Sequence, residues 1–126
     1  MKIRKYLLAA FFIGGMVAAH ALELKPYSAA ALADAQKADK PVALHFHADW
    51  CPTCRAQTTV LQGLKAEPNL DITVLVANYD TERALKRRFN VRAQSTLVVL
   101  RGQTEWARLV GDTSASGIRD ALKTAL

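Results

Sequence analysis

The stretch VALHFHADWCPTCRA (42–56) decides how this chain folds. Residues 42–48 have the alternation of a strand. Pro41, just before it, stops a preceding helix. Residues 49–54 (DWCPTC) read as a turn running into a helix that continues to about residue 65. Pro52 suits the first turn of that helix because it has no N–H to lose.

Working outward, 28–38 is an Ala-rich helix with Ser28 as its candidate N-cap. Pro68-Asn69 breaks the helix that follows the cysteines. ITVLVANY (72–79) is almost wholly apolar, as a strand covered on both faces must be. Asp80 or Thr81 can cap a short helix ending near Phe89. TLVVLR (96–101) and EWARLV (105–110) are separated by so few residues, one of them Gly102, that they read as a hairpin. Gly111 ends its second strand, and Ser114 or Ser116 caps a last helix with Ile118, Leu122 and Leu126 along one face. The order is helix, strand, helix, strand, helix, strand, strand, helix. That implies an α/β fold: a mixed four- to five-stranded sheet with helices on both faces, built of parallel crossovers plus an antiparallel edge strand from the hairpin.

The 126 residues are one domain's length, and 51% apolar with 22% charged residues excludes a disordered chain. Two cysteines cannot staple a chain this long, so a disulfide-framework mini-protein is excluded too. No apolar run long enough for a membrane span follows residue 22. The first 21 residues read as an export signal. Lys2, Arg4 and Lys5 give a positive start, 6–19 is apolar, and Ala19-His20-Ala21 fits the small-x-small cleavage rule. Cleavage is expected before Leu22, leaving a folded domain over 22–126 with no stable membrane insertion. An uncleaved anchor is the alternative, but a span needs ~20 apolar residues. Cleavage removes three positive charges and no negative ones, so the net charge falls from +6 to +3. That gives no case for nucleic acid. Lys86, Arg87, Arg88 and Arg92 cluster, and read as a solvated helix face. Export places both cysteines where disulfides persist, which in a bacterium is the periplasm.

Cys51 and Cys54 are three apart at a strand-to-helix junction. Residues i and i+3 lie on one side of a first helical turn, so the two sulfurs can close a small ring. The free N–H groups of the helix start favour a thiolate at Cys51, the species that attacks a disulfide. Cys54, one turn inside, would be shielded and would resolve the mixed disulfide. Three other readings stay open. A structural disulfide would stabilise such a short loop by only ~2 kcal/mol. A zinc or copper site would need more ligands than one C-x-x-C supplies, and His45 and His47 could complete the set. Two inert core thiols would leave the Pro and the adjacent Trp unexplained.

The chain resembles the thioredoxin family along nearly all of 22–126, in HFHADWCPTCRA (45–56), NYD (78–80), FNVRAQSTLVVLRGQTE (89–105) and LVG (109–111). WCPTCRA is especially similar to thioredoxin-like reductases of cytochrome c maturation, and HADWC to the periplasmic end domain of the membrane thiol transporter. The resemblance implies a thioredoxin-like fold and thiol–disulfide oxidoreductase activity on protein disulfides and dithiols, with no cofactor. It implies Cys51 as nucleophile, Cys54 as resolving thiol, and a substrate-facing surface of Trp50, Pro52, Thr53, Gln94, Ser95, Thr96 and Gly111. It further implies a reductant fed by a membrane thiol donor. A monomer is expected, because no long apolar surface stripe is left over.

The chain departs from the family pattern at three positions. Ser95 stands where the family carries a Pro, often cis. A cis bond to a non-proline residue costs ~3 kcal/mol, so a trans Gln94–Ser95 bond and an altered docking loop are expected. In the family that Pro is thought to discourage metal binding, so its absence adds to the metal alternative built from His45, His47, Cys51 and Cys54. His45 replaces a buried Asp six residues before the first Cys, and reads either as a satisfied core histidine or as a proton acceptor for Cys54. Val76 replaces the Lys that partners that Asp. His47, two residues on, could partner His45 or sit at the rim. Asp49 reads as a solvated loop charge.

Overall fold

The structure, a computed structural model, describes residues 10, 13–15 and 21–126. The expected export signal over 1–21 therefore lies almost entirely outside the described residues. Nine elements follow in the order β1 (Glu23–Pro26), α1 (Ala29–Lys37), β2 (Pro41–His47), α2 (Pro52–Leu64), β3 (Thr73–Asn78), α3 (Arg83–Arg88), β4 (Thr96–Arg101), β5 (Thr104–Val110) and α4 (Ala115–Lys123). They build one five-stranded sheet ordered β1-β3-β2-β4-β5.

β2 is the central strand, and its period-two pattern divides the core. Val42, Leu44 and Phe46 point to one face, where Leu32 of α1 and Leu85 of α3 cover them. Ala43 points to the other, under Leu61 and Leu64 of α2 and Ile118 and Leu122 of α4. β4 alternates the same way, Val98 and Leu100 to the first face and Leu97 and Val99 to the second. Helices thus lie on both faces, as the alternating elements imply. The Ser28 hydroxyl caps α1 by accepting the Ala31 N–H at 3.0 Å, and Ser114 caps α4 by accepting from Gly117 at 3.1 Å.

Three expectations need correction. β1 is an added strand, parallel to β3, with Glu23 opposite Thr73. Its sequence carries no apolar alternation because it is an edge strand, anchored by Leu22 and by backbone bonds such as Tyr27 N–H to Val76 O at 2.9 Å. Neither Asp80 nor Thr81 caps α3. Glu82 occupies that position without a side-chain bond, because α3 begins only at Arg83, and the Asp80 carboxylate accepts from Trp50 instead. The antiparallel turn comes at β4, which runs against β2, and not only at the hairpin. Because β2 and β3 run parallel and β4 runs against β2, the chain re-enters the sheet from the end it left. That end carries the last residues of β2 and β3 and the first of β4. Pro41 is the first residue of β2, a position that tolerates its missing N–H, and the helix before it ends at Lys37.

Candidate active site

β2 delivers the chain into α2 through residues 48–51, where the Cys51 N–H bonds to Ala48 O at 3.0 Å. Cys51 is the N-cap of α2. Its backbone is extended and its Sγ accepts the Cys54 N–H at 3.2 Å, the role a serine or aspartate oxygen plays at other helix starts. Pro52 follows at the first helical position, exposed to solvent. Both cysteines are free thiols, and both are covered: Cys51 is 2% exposed and Cys54 0%.

Hydrogen bonding, not exposure, distinguishes the two sulfurs. Burial pushes the Cys51 thiol up, but bonds from Cys54, from the Ser95 hydroxyl and from the Cys54 and Thr53 backbone outweigh it, so its pKa lies below the ordinary value. Burial raises the Cys54 thiol and its bond to Cys51 raises it further. Cys51 is therefore the sulfur that ionises first.

Ser95 arrives at the start of β4. The Gln94–Ser95 bond is trans, as expected, and Ser95 adopts φ +62°. Its N–H bonds to Phe46 O at 3.0 Å, and its carbonyl accepts from Gly111 N–H at 3.0 Å. Its hydroxyl lies 3.3 Å from Cys51 Sγ and 3.1 Å from Cys54 Sγ. Ser95 thus spends its backbone inside the protein. Thr96 is buried, with its hydroxyl donating to Ala93 O at 2.7 Å. Gln94 is half-buried and Gly111 exposed.

His45 faces α2 and is 1% exposed. Its Nε2 lies 2.8 Å from Gln57 Oε1. The Gln57 amide nitrogen donates to Ser95 O at 3.0 Å and to Asp112 O at 2.9 Å. Two carbonyl acceptors fix the orientation of that amide, which makes its oxygen the acceptor from His45. Nε2 therefore carries the imidazole proton, and Nδ1 is a buried lone pair with no partner. Burial drives the His45 pKa from 6.5 to about 4, with His47 adding to the shift and Gln57 opposing it. Val76 sits across from His45 in the β2–β3 register.

His47 and Asp49 resolve at the rim. His47 Nε2 donates to Asp49 Oδ1 at 2.9 Å, and Asp49 is exposed. The two histidine rings are 5.5 Å apart. Among the described residues no group of three or more His, Cys, Asp or Glu could hold a metal ion. The metal reading therefore gains no support. Trp50 is 58% exposed, with its indole N–H on Asp80 Oδ2 at 2.8 Å.

The fold thus gathers Trp50, Cys51, Pro52, Thr53, Cys54, Ser95 and Gly111 at one end of the sheet. It keeps Thr96 inside, and gives His45 no hydrogen bond to Cys54. Sequence reasoning passed over Gln57. Its signal was present: 54, 57, 61 and 64 form one buried stripe of α2, and Gln57 is the amide within it.

The family model for thioredoxin matches residues 27–124. A bifunctional thioredoxin reductase/thioredoxin of Mycobacterium leprae is 32% identical over 79 residues, 63% of this chain. The thiol:disulfide interchange protein DsbD 1 of Pseudomonas aeruginosa is 32% identical over 106 residues, 76% of this chain. The chain spans only 17% and 18% of those two proteins. The crystal structure of Trxlp from Edwardsiella tarda EIB202 is 39% identical with a TM-score of 0.74, over 79% of this chain and 98% of that one.

Proposed function

The chain belongs to the thioredoxin family of thiol–disulfide oxidoreductases, and from that premise we propose that it is an exported, periplasmic reductant of protein disulfides working through Cys51 and Cys54. The observation that carries the reading is the Cys51 sulfur seated as the cap of α2, its thiolate held by the Cys54 N–H at 3.2 Å.

The Cys51 thiolate attacks one sulfur of a partner disulfide. The partner's S–S bond breaks, its second sulfur leaves as a thiolate, and a Cys51–partner mixed disulfide forms. Cys54 then loses its proton and attacks Cys51 Sγ, expelling the partner's first sulfur. Two electrons have passed to the partner, which leaves as a dithiol, while the chain keeps a Cys51–Cys54 disulfide. The reverse direction uses the same residues. His45 is the proton acceptor assigned to Cys54: its fixed tautomer leaves Nδ1 a buried lone pair without a partner, neutral and free to take a proton at neutral pH, though burial makes it a weaker base than an ordinary imidazole. The exposed faces of Trp50, Pro52 and Gly111, with half-buried Thr53 and Gln94, receive the substrate. Ser95 and Thr96 contribute less to docking than in relatives with a proline, since their polar groups are satisfied internally.

The reductant direction draws on the similarity of WCPTCRA to reductases and on the thiol:disulfide interchange relative. A membrane thiol donor would then return electrons to the pair. Export rests on residues 1–21, with 22–126 as the working monomeric domain. Wild type should reduce insulin disulfides and Cys51→Ser should not. Cys54→Ser should stall as a mixed disulfide that identifies the partner. Activity surviving in Cys51→Ser would remove the reading. An equilibrium potential near ~−120 mV, that of the strong oxidases, would reverse the direction.

A further inference from the structure

Resting on the reading that Cys51 and Cys54 form the exchanging pair, we propose that Ser95 is a positioning residue that sets the pair's redox balance, its hydroxyl bridging the sulfurs by donating to the Cys51 thiolate and accepting from the Cys54 thiol. The hydroxyl oxygen is 3.3 Å from one sulfur and 3.1 Å from the other. A hydroxyl has one proton to give and lone pairs to receive. A thiolate only accepts, and a protonated Cys54 can donate. Ser95 O–H then points to Cys51 S⁻, and Cys54 S–H has Ser95 Oγ at 3.1 Å as a nearer acceptor than Phe46 O at 4.0 Å.

The backbone is built to hold that hydroxyl in place. Ser95 takes φ +62°, a left-handed conformation that costs a residue with a Cβ free energy. It is held there by its bonds to Phe46, Gly111 and Gln57. The residue is 3% exposed, so water does not compete for the proton. The proline that usually occupies this place has no side-chain donor. The replacement therefore adds a hydrogen bond as well as changing the loop.

The bond to a thiolate exists only in the reduced protein. When the thiolate–thiol pair becomes a disulfide, two electrons and one proton leave, and the Ser95 donor is left facing a weakly accepting sulfur. Ser95 thus favours the reduced form and makes the pair a weaker reductant than the same chain without the hydroxyl. This tunes the potential, while the partner proteins still set the direction of flow.

The test compares wild type with Ser95→Gly and Ser95→Ala in the full chain. Glycine adopts φ +62° without strain, and alanine keeps the Cβ while losing the oxygen. Thiolate absorbance against pH and the equilibrium with glutathione are read for each. Both variants should move the first thiol titration up by about one pH unit. Both should shift the glutathione equilibrium about tenfold toward the disulfide, about 30 mV more reducing. A purely structural serine would lower the melting temperature and leave both readouts at the wild-type values. That result overturns the proposal while the exchange reading stands. A wild type that forms no Cys51–Cys54 disulfide in the same buffers overturns both.

Discussion

Gln57 joins the two halves of the site with a single amide. It accepts from His45 and donates to the carbonyls of Ser95 and Asp112, so a shift at the histidine reaches the residue that touches the sulfurs. None of these contacts is local: 41 positions separate Ser95 from Cys54, and 38 from Gln57. The cysteine spacing and the missing proline were legible, because they are properties of neighbouring letters. The bridging hydroxyl was not, because it depends on a positive φ and on where β4 starts. His45 gives a pH prediction with a defined sign. Its folded pKa of about 4 lies below the ordinary 6.5, so the unfolded chain takes up a proton that the fold refuses. The neutral histidine's contribution is complete above pH 6.5 and is lost as pH falls toward 4, on the order of 3 kcal/mol in all. Urea unfolding at several pH values should show that loss in wild type, and a correspondingly shallower decline in His45→Gln. Parallel curves would mean that His45 titrates normally.

At the level of elements, the start of α2 separates chemistry from stability. Cys51 caps the helix and, in the proposed exchange, is also the nucleophile; serine can perform the first task but not the second. Cys51→Ser should abolish exchange while keeping stability within about 0.5 kcal/mol. Cys51→Ala should abolish exchange and lose about 1 kcal/mol with the cap. Equal urea midpoints for the two variants would show that the sulfur does not cap. The helices and strands that carry apolar faces could be read from the sequence, α1 down to its Ser28 cap and α4 to a choice of two serines of which Ser114 is the cap. β1 could not, since its four residues owe their conformation to the backbone of β3. The direction of β4 was also hidden, because a connection of the length of 79–95 can return the chain to either end of the sheet and the composition of the strands does not choose between them.

Across the molecule, two apolar layers sandwich one sheet, and the site lies where the sheet changes from parallel to antiparallel pairing. The two-layer arrangement was legible because helices and strands alternate along the chain. The five cations of α3 and its following loop, Arg83, Lys86, Arg87, Arg88 and Arg92, have no ion-pair partner among the described residues, and Lys86 lies over the Tyr79 ring at 4.0 Å. The split between the thiols belongs to the assembled fold alone. In folded protein, thiolate absorbance should rise in two separate steps, Cys51 below and Cys54 above the ordinary thiol value. In strong urea the steps should merge near ~8.5. Two steps persisting in urea would place the cause in the local C-P-T-C sequence. The return of α3 to the end of the sheet it left has a temporal consequence. The residue that bridges the sulfurs is made long after them, and meets them only when β4 slots in beside β2. A chain whose last strands have not docked carries both cysteines without the hydroxyl between them, and the trio is complete only once β4 is in place.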